Sequence, residues 1–337
     1  MSASLQNDPS LTVPAPTGGD RGGTLSIVRN LGLVIALVIL CVVGIITAGD
    51  RFASTDNVVT ILRLAAVTGV VAVGMTFVIT GGGIDLSVGA ILALASIWAT
   101  TTGTQDMADS IGWIAMVFSA LLVGTCAGLI NGILIAYGKV VPFIATLAML
   151  ASARGLAEVI ADRKTQIIRD QGFTDFFGAE PAGIPVIVII FALVTVAGWF
   201  LLNRTTFGRR TFAVGGNPEA ARLAGIKVQR HTVYLYALSG LTCGIAAVML
   251  MSRTTTGSST HGTLLELQTI AAVVIGGTLL SGGRGTVTGT LLGVLIFTTL
   301  TNVFTLNNLS TSTQAVANGV IIVIAVLLQQ QIANRKT

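Results

Sequence analysis

The charged side chains of this sequence gather in one place. Residues 204–230, RTTFGRRTFAVGGNPEAARLAGIKVQR, hold Arg204, Arg209, Arg210, Arg222, Lys227 and Arg230, six of the nineteen Lys and Arg in the chain, with Glu219 as the only acid. Such a segment can attract and dock a partner. It has no paired carboxylates and no nucleophile beside a base, so it offers nothing for acid–base or covalent catalysis. Elsewhere the candidates are isolated. Asp85 lies in GGGIDLSVG, and Glu158 and Glu266 lie near the ends of apolar stretches. His231 and His261 have no matching acid or nucleophile, so no hydrolytic site is encoded. Cys41, Cys126 and Cys243 sit in apolar runs without paired spacing, which makes them packing residues rather than metal ligands or disulfide partners.

Two energy sources can be tested for directly. A phosphate loop needs Gly-Lys followed by Ser or Thr, with a first glycine five residues before the second. The one Gly-Lys pair, Gly138-Lys139, is followed by Val140 and has Ile133 where the first glycine belongs. No nucleotide site is present, and if ATP is used another chain binds it. Ion coupling calls for acids or polar residues at mid-depth in a membrane. Asp85, Glu158 and Glu266 each lie closer to a membrane boundary than to the middle, so a proton- or sodium-driven carrier is poorly supported.

The elements that must hold these residues are membrane helices. Hydrophobic residues make up 53% of the chain and charged residues only 10%, against about 25% charged in soluble domains; mean hydropathy is +0.86. The expected fold is all-α and polytopic. Good spans of about 20 apolar residues are 31–49, 61–79, 111–135, 184–202, 233–251, 286–305 and 312–330, and shorter or more polar ones are 88–102, 142–160 and 264–281. That makes about ten, in a single transmembrane domain over 25–332, with a loop at 203–232. Residues 1–24, rich in Ser, Pro, Thr and Gly, are expected to be a disordered tail, and 333–337 a short second one. With both termini placed inside the cell, twelve Lys and Arg fall in inside segments and five in outside loops, the bias that orients membrane proteins. The same bias explains the pI of 9.5 without nucleic acid as a partner. Gly124, Gly128 and Gly132, and again Gly285, Gly289 and Gly293, recur every fourth residue, a spacing that lets helix backbones approach closely in lipid.

Four segments interrupt the spans. In residues 81–89 three glycines end one span and Asp85 and Ser87 precede the next, so Asp85 either caps the following helix or helps to shape a transport path or its inner gate. Residues 215–219, GGNPE, predict a turn, then Asn217 as helix cap and Pro218 at the first helical position. Ala220, Ala221, Arg222 and Leu223 continue a two-turn helix that Gly225 stops. Residues 266–293 contain IGG and SGGRG, which predict a broken span with a glycine-rich turn around Arg284. In residues 141–147, VPFIATL, Pro142 opens a span just after Asn131-Gly132. Asn131, Thr146, Asn302 and Asn318 are polar groups within spans, able to line a path or to bond a neighbouring helix.

GGGIDLSVGA, NGILIAYGKVVPFIATLAML, GRRTFAVGGNPEAARLAGIKV and IAAVVIGGTLLSGGRGTVTGTLLG, in this order, resemble the membrane-spanning permease of bacterial ATP-binding-cassette importers for monosaccharides, of the ribose, xylose, arabinose and galactofuranose type. The resemblance covers roughly residues 30–330. It implies a ten-helix permease of the bacterial inner membrane that is not itself an enzyme and binds no cofactor. It also implies a second permease copy or paralogue, an ATPase with two fused cassettes that binds Mg-ATP, an extracytoplasmic sugar-binding protein, and a monosaccharide substrate. By motif, Asn217, Pro218, Glu219, Ala220, Ala221, Arg222, Leu223 and Gly225 would form the helix that couples to the ATPase. The substrate path would draw on Asp85, Asn131, Phe143, Thr146, Glu266, Gln268 and Asn302. Glu266 matches the glutamate of the family's Glu-Leu-Asp-x-Ile-Ala run, but Gln268 stands where the family has Asp. A related permease for branched-chain amino acids or furanosyl signal molecules would share most of these blocks, and a secondary carrier is the rival of another class.

Overall fold

The computed structural model describes residues 21–334. Of the expected tails, residues 1–20 and 335–337 lie outside that range. Fourteen α-helices fill the described residues: α1 (Arg21–Ala48), α2 (Thr55–Thr80), α3 (Val88–Thr100), α4 (Thr102–Ile111), α5 (Ile114–Ala136), α6 (Pro142–Ile160), α7 (Gln171–Gly178), α8 (Val186–Arg204), α9 (Thr206–Gly216), α10 (Pro218–Leu223), α11 (Val228–Thr254), α12 (Leu265–Ile275), α13 (Val287–Leu306) and α14 (Thr311–Asn334). Seven of them, α1, α2, α5, α6, α8, α11 and α13, are long and apolar enough to cross a membrane.

The expected spans all fall on helices, with shifted ends. The helix expected from residue 61 starts at Thr55, because the Ser54 hydroxyl caps it by accepting from the Asn57 N–H at 3.2 Å. The segment 264–281 is helical only over α12, and 88–102 only over α3. At 1.5 Å per residue, α3 is about 20 Å long and α12 about 17 Å, short of the roughly 30 Å hydrocarbon core. Both are half-spans continued by irregular backbone.

The centre of the bundle is α2, α11 and α13. About two thirds of the apolar stretch of α2, α11 and α13 is covered by protein (61%, 67% and 61%), against 22% for α6 and α8, which face outward. The glycine spacing explains how α11 comes so close to α5. A methyl group on Gly124 would sit 2.8 Å from the Gly244 N–H, and one on Gly128 would sit 3.0 Å from the Gly240 Cα, so the two backbones are in direct contact. In α13, Gly289 and Gly293 serve α12 in the same way, against Gly276 and Ala272. The two ends of the bundle can be told apart. One carries a two-residue antiparallel ladder, β1 (Gln166–Ile167) with β2 (Thr256–Gly257), beside the C-terminus of α3. The other carries α9 and α10, against the C-terminus of α2.

Candidate functional site

The α9–α10 end is built from short-range signals. Asn217 leaves helical geometry (φ −158°, ψ 99°), and its side-chain oxygen accepts from the Ala220 N–H at 3.0 Å. Pro218 occupies the first helical position and Gly225 ends the segment at φ +81°. Arg222 donates from Nε to Glu219 Oε2 at 2.7 Å, a bond that raises the Arg222 pKa further. Both side chains are about two-thirds exposed or more, so solvent screening leaves the pair little weight in stability. Ala221 turns inward, while Leu223 is 82% exposed, an isolated leucine on a polar element.

One expectation is corrected here. Gly215 and Gly216 form no turn: they are the last residues of α9, and neither has a positive φ. A methyl group on Gly215 would overlap the Thr80 carbonyl, so this glycine is required by close approach rather than by a turn. Three glycine segments from distant parts of the chain meet at this point. The Gly283 N–H donates to the Thr80 carbonyl at 2.9 Å. A methyl on Gly282 would lie 2.7 Å from the Gly215 carbonyl oxygen and 2.9 Å from the Gly82 Cα, and one on Gly283 would lie 2.8 Å from the Gly216 Cα. Gly82, Gly282 and Gly283 all have φ between +74° and +85°, a region that glycine enters without steric cost. The end of α9, the α2–α3 break and the α12–α13 break thus form one joint, backbone against backbone.

Asp85 lies just beyond this joint, fully buried. It does not cap α3 through the usual bond three residues on; Ser87 holds the cap position. Instead Asp85 Oδ1 accepts from the Ser87 N–H (3.0 Å) and Ser87 hydroxyl (2.5 Å), and Oδ2 accepts from the Ser239 hydroxyl at 2.9 Å. Asn131 donates to the Ser87 hydroxyl at 2.9 Å and the Tyr236 hydroxyl to the Ile84 carbonyl at 3.2 Å. Asp85 and Asn131 therefore tie the break to α11 and α5. A buried carboxylate is sustained only by such a set of donors.

The other expected path residues do not join them. Thr146 is buried and donates to the Pro142 carbonyl of its own helix at 2.9 Å. Phe143 is 53% exposed on the outer side of α6. Asn302 and Asn57 exchange amide hydrogen bonds of 2.8 and 3.2 Å between α13 and α2. Glu266 and Gln268 belong to the first turns of α12, at the ladder end, where Gln268 borders a cavity of about 340 Å³. Sequence reasoning missed Thr80, Ser239 and Tyr236 at the joint, and Arg154, whose guanidinium donates to the Ser259 and His261 carbonyls (the latter at 2.8 Å) near that cavity. A lone arginine inside an apolar helix was the available signal for Arg154; a serine or threonine in a span carries none. Among the described residues no group of His, Cys, Asp and Glu could hold a metal ion.

Comparison with known proteins agrees with this architecture. Residues 57–327 match the family model described as "Branched-chain amino acid transport system / permease component". The chain is 44% identical to the ribose import permease protein of Bacillus subtilis (strain 168), over 90% of this chain and 94% of that protein. It is 35% identical to the L-arabinose ABC transporter permease protein of Azospirillum brasilense, over 100% and 98%. It is 32% identical to the xylose transport system permease protein of Escherichia coli (strain K12), over 98% and 100%. No solved structure matches the chain. A helical bundle with two half-spans, matched over most of its length by that model and by these relatives, belongs to this family of multi-pass transport permease components.

Proposed function

We propose that the chain is the membrane-spanning permease of an ATP-driven importer and that its substrate is a monosaccharide of the pentose class. The relatives at 32–44% identity are named for ribose, arabinose and xylose, which favours a sugar over the amino acids in the family's description. The structural observation that carries the reading is α10. It is a capped helix outside the spans, it exposes Leu223, and the glycine joint stands directly behind it. A short capped helix that stands out from the bundle on a basic element can seat in a groove of a soluble protein.

In this reading residues 217–225, which contain α10, fit a cleft of an ATPase with fused cassettes, which binds Mg-ATP, and both chain termini and the basic segment lie in the cytoplasm. A second permease copy or a paralogue completes the path. A loaded binding protein delivers its sugar at the ladder end. Closure of the cassettes then pushes on α10, and the joint passes that displacement to the α2–α3 and α12–α13 breaks. The path needs scattered hydrogen-bonding groups without a deep trap, because a tight site would retain the solute.

Proteoliposomes holding the chain, its ATPase and the binding protein should concentrate one of ribose, arabinose or xylose in an ATP-dependent manner, and the chain alone should concentrate none. Concentrative uptake by the chain alone would falsify the coupling reading, and uptake of leucine but no pentose would favour the amino acid alternative.

A further inference from the structure

Residues 255–264, between α11 and α12, cross the ladder end of the bundle without helix or strand beyond Gly257. The segment is bounded by Thr255 (φ 53°) and Leu264 (φ 61°), left-handed residues with a Cβ that cost about 1–3 kcal/mol each and persist only where the surroundings impose them. It runs antiparallel along α3. A methyl on Gly257 would sit 2.7 Å from the Ser96 carbonyl oxygen, His261 Nδ1 is 3.2 Å from the Ser96 hydroxyl, and a methyl on Gly262 would sit 2.8 Å from the Gly89 carbonyl oxygen. The segment thus travels from the last turn of α3 to its first, which takes it well into the bundle. Arg154 holds its Ser259 and His261 carbonyls. Irregular backbone at such depth is tolerated where it is buried in protein or lines a water-filled cavity.

The segment also borders a cavity of about 340 Å³, with Thr68 of α2, Arg253 of α11, Gln268 of α12 and Thr260, His261 and Thr263 of the segment itself among its lining. That volume lies at the small end of ligand sites. Among the described residues Arg253 and Gln268 make no hydrogen bond or ion pair through their side chains, and no carboxylate lines the cavity. The neighbouring Arg63 is itself paired with Glu180. Guanidinium and amide donors beside an amide oxygen and threonine hydroxyls match a compact neutral solute whose own hydroxyls both donate and accept.

Resting on the reading of the chain as a monosaccharide permease, we propose that this cavity is the station where the delivered sugar first touches the permease, with Arg253 and Gln268 bonding its hydroxyls and residues 255–264 forming its wall. The test uses the complete reconstituted importer. Cys41, Cys126 and Cys243 are replaced by Ala, and Leu64→Cys, at an apolar position of the lining, is introduced as a single reporter. Alkylation by N-ethylmaleimide is timed with sugar-loaded binding protein, with sugar-free binding protein, and with neither, using D-ribose, L-arabinose and xylose in turn. The expected result is at least threefold slower alkylation only in the sugar-loaded arm, and loss of uptake once alkylation is complete. Phe143→Cys, far from the cavity, should show neither effect. Equal rates in all arms, equal protection by sugar-free binding protein, or full uptake after complete alkylation overturns the proposal while the importer reading stands. Failure of the importer carrying Cys41, Cys126 and Cys243 to take up any of the three pentoses overturns both.

Discussion

The two ends of this bundle are built from different material. At the α10 end, three glycine segments touch through their backbones, and a hydrogen bond from Gly283 to Thr80 fastens them. At the ladder end, an irregular segment and side chains of α2, α11 and α12 line an open cavity of about 340 Å³. Side chains can change rotamer and make room for a passing solute. Backbones in contact cannot, so a displacement imposed on one of them is handed to the next. On the proposed function, the first end is suited to force transmission and the second to solute contact.

The sharpest way to break that contrast is at the adjacent glycines of α9. A methyl on Gly215 overlaps the Thr80 carbonyl, whereas one on Gly216 has only the Gly283 Cα within reach, at 4.0 Å. Overpacking of this kind costs about 1–3 kcal/mol, and Gly→Ala inside a helix otherwise gains up to about 1 kcal/mol. Gly215→Ala should therefore lower ATP-driven uptake more than tenfold while the purified chain still binds the ATPase, and Gly216→Ala should leave both within twofold. Equal uptake by the two variants removes the joint from the mechanism.

The second test separates docking from transmission at the same end. Leu223 points away from the chain at 82% exposure, and an interface residue that carries binding energy costs more than about 1 kcal/mol when truncated. Leu223→Ala should weaken ATPase binding about tenfold, as measured by titrating the ATPase onto the immobilised chain. At saturating ATPase it should restore near-normal uptake, which Gly215→Ala should not. Unchanged affinity would move the docking surface off α10.

What the sequence made legible follows from range. The Asn217 cap, Pro218 and the Gly225 stop are local signals, and α10 forms where they predict it. Apolar length marks the helices, and the fourth-residue glycines mark the α5–α11 and α12–α13 contacts. The joint was hidden because Gly-Gly has the same composition whether it turns a chain or lets another backbone approach. Asp85 stood out as a polar break, but its partner Ser239 is 154 residues away. Asn131 and Asn302 are alike in sequence, and only tertiary geometry ties one to Ser87 and the other to Asn57. The polar run 255–264 has the composition of an ordinary loop; its entry into the bundle comes from contacts with α3 and Arg154.

The smallest expected effect belongs to the ladder end and asks whether its wall is held or merely lies there. Arg154 is the anchor of residues 255–264, donating to two of their carbonyls, and also sits near Glu266. Arg154→Gln leaves at least one part-buried carbonyl without its donor, at about 1 kcal/mol, and this acts on a segment already strained at Thr255 and Leu264. Amide hydrogen exchange across 255–264 should accelerate and pentose uptake should fall about three- to fivefold. ATPase affinity should not change, since α10 lies at the other end. Arg154→Lys, which keeps one donor and the charge, should recover part of both losses. If exchange across 255–264 stays at the wild-type rate in Arg154→Gln, the wall is fixed by α3 alone and the ladder end is as rigid as the joint, which would erase the contrast between the two ends.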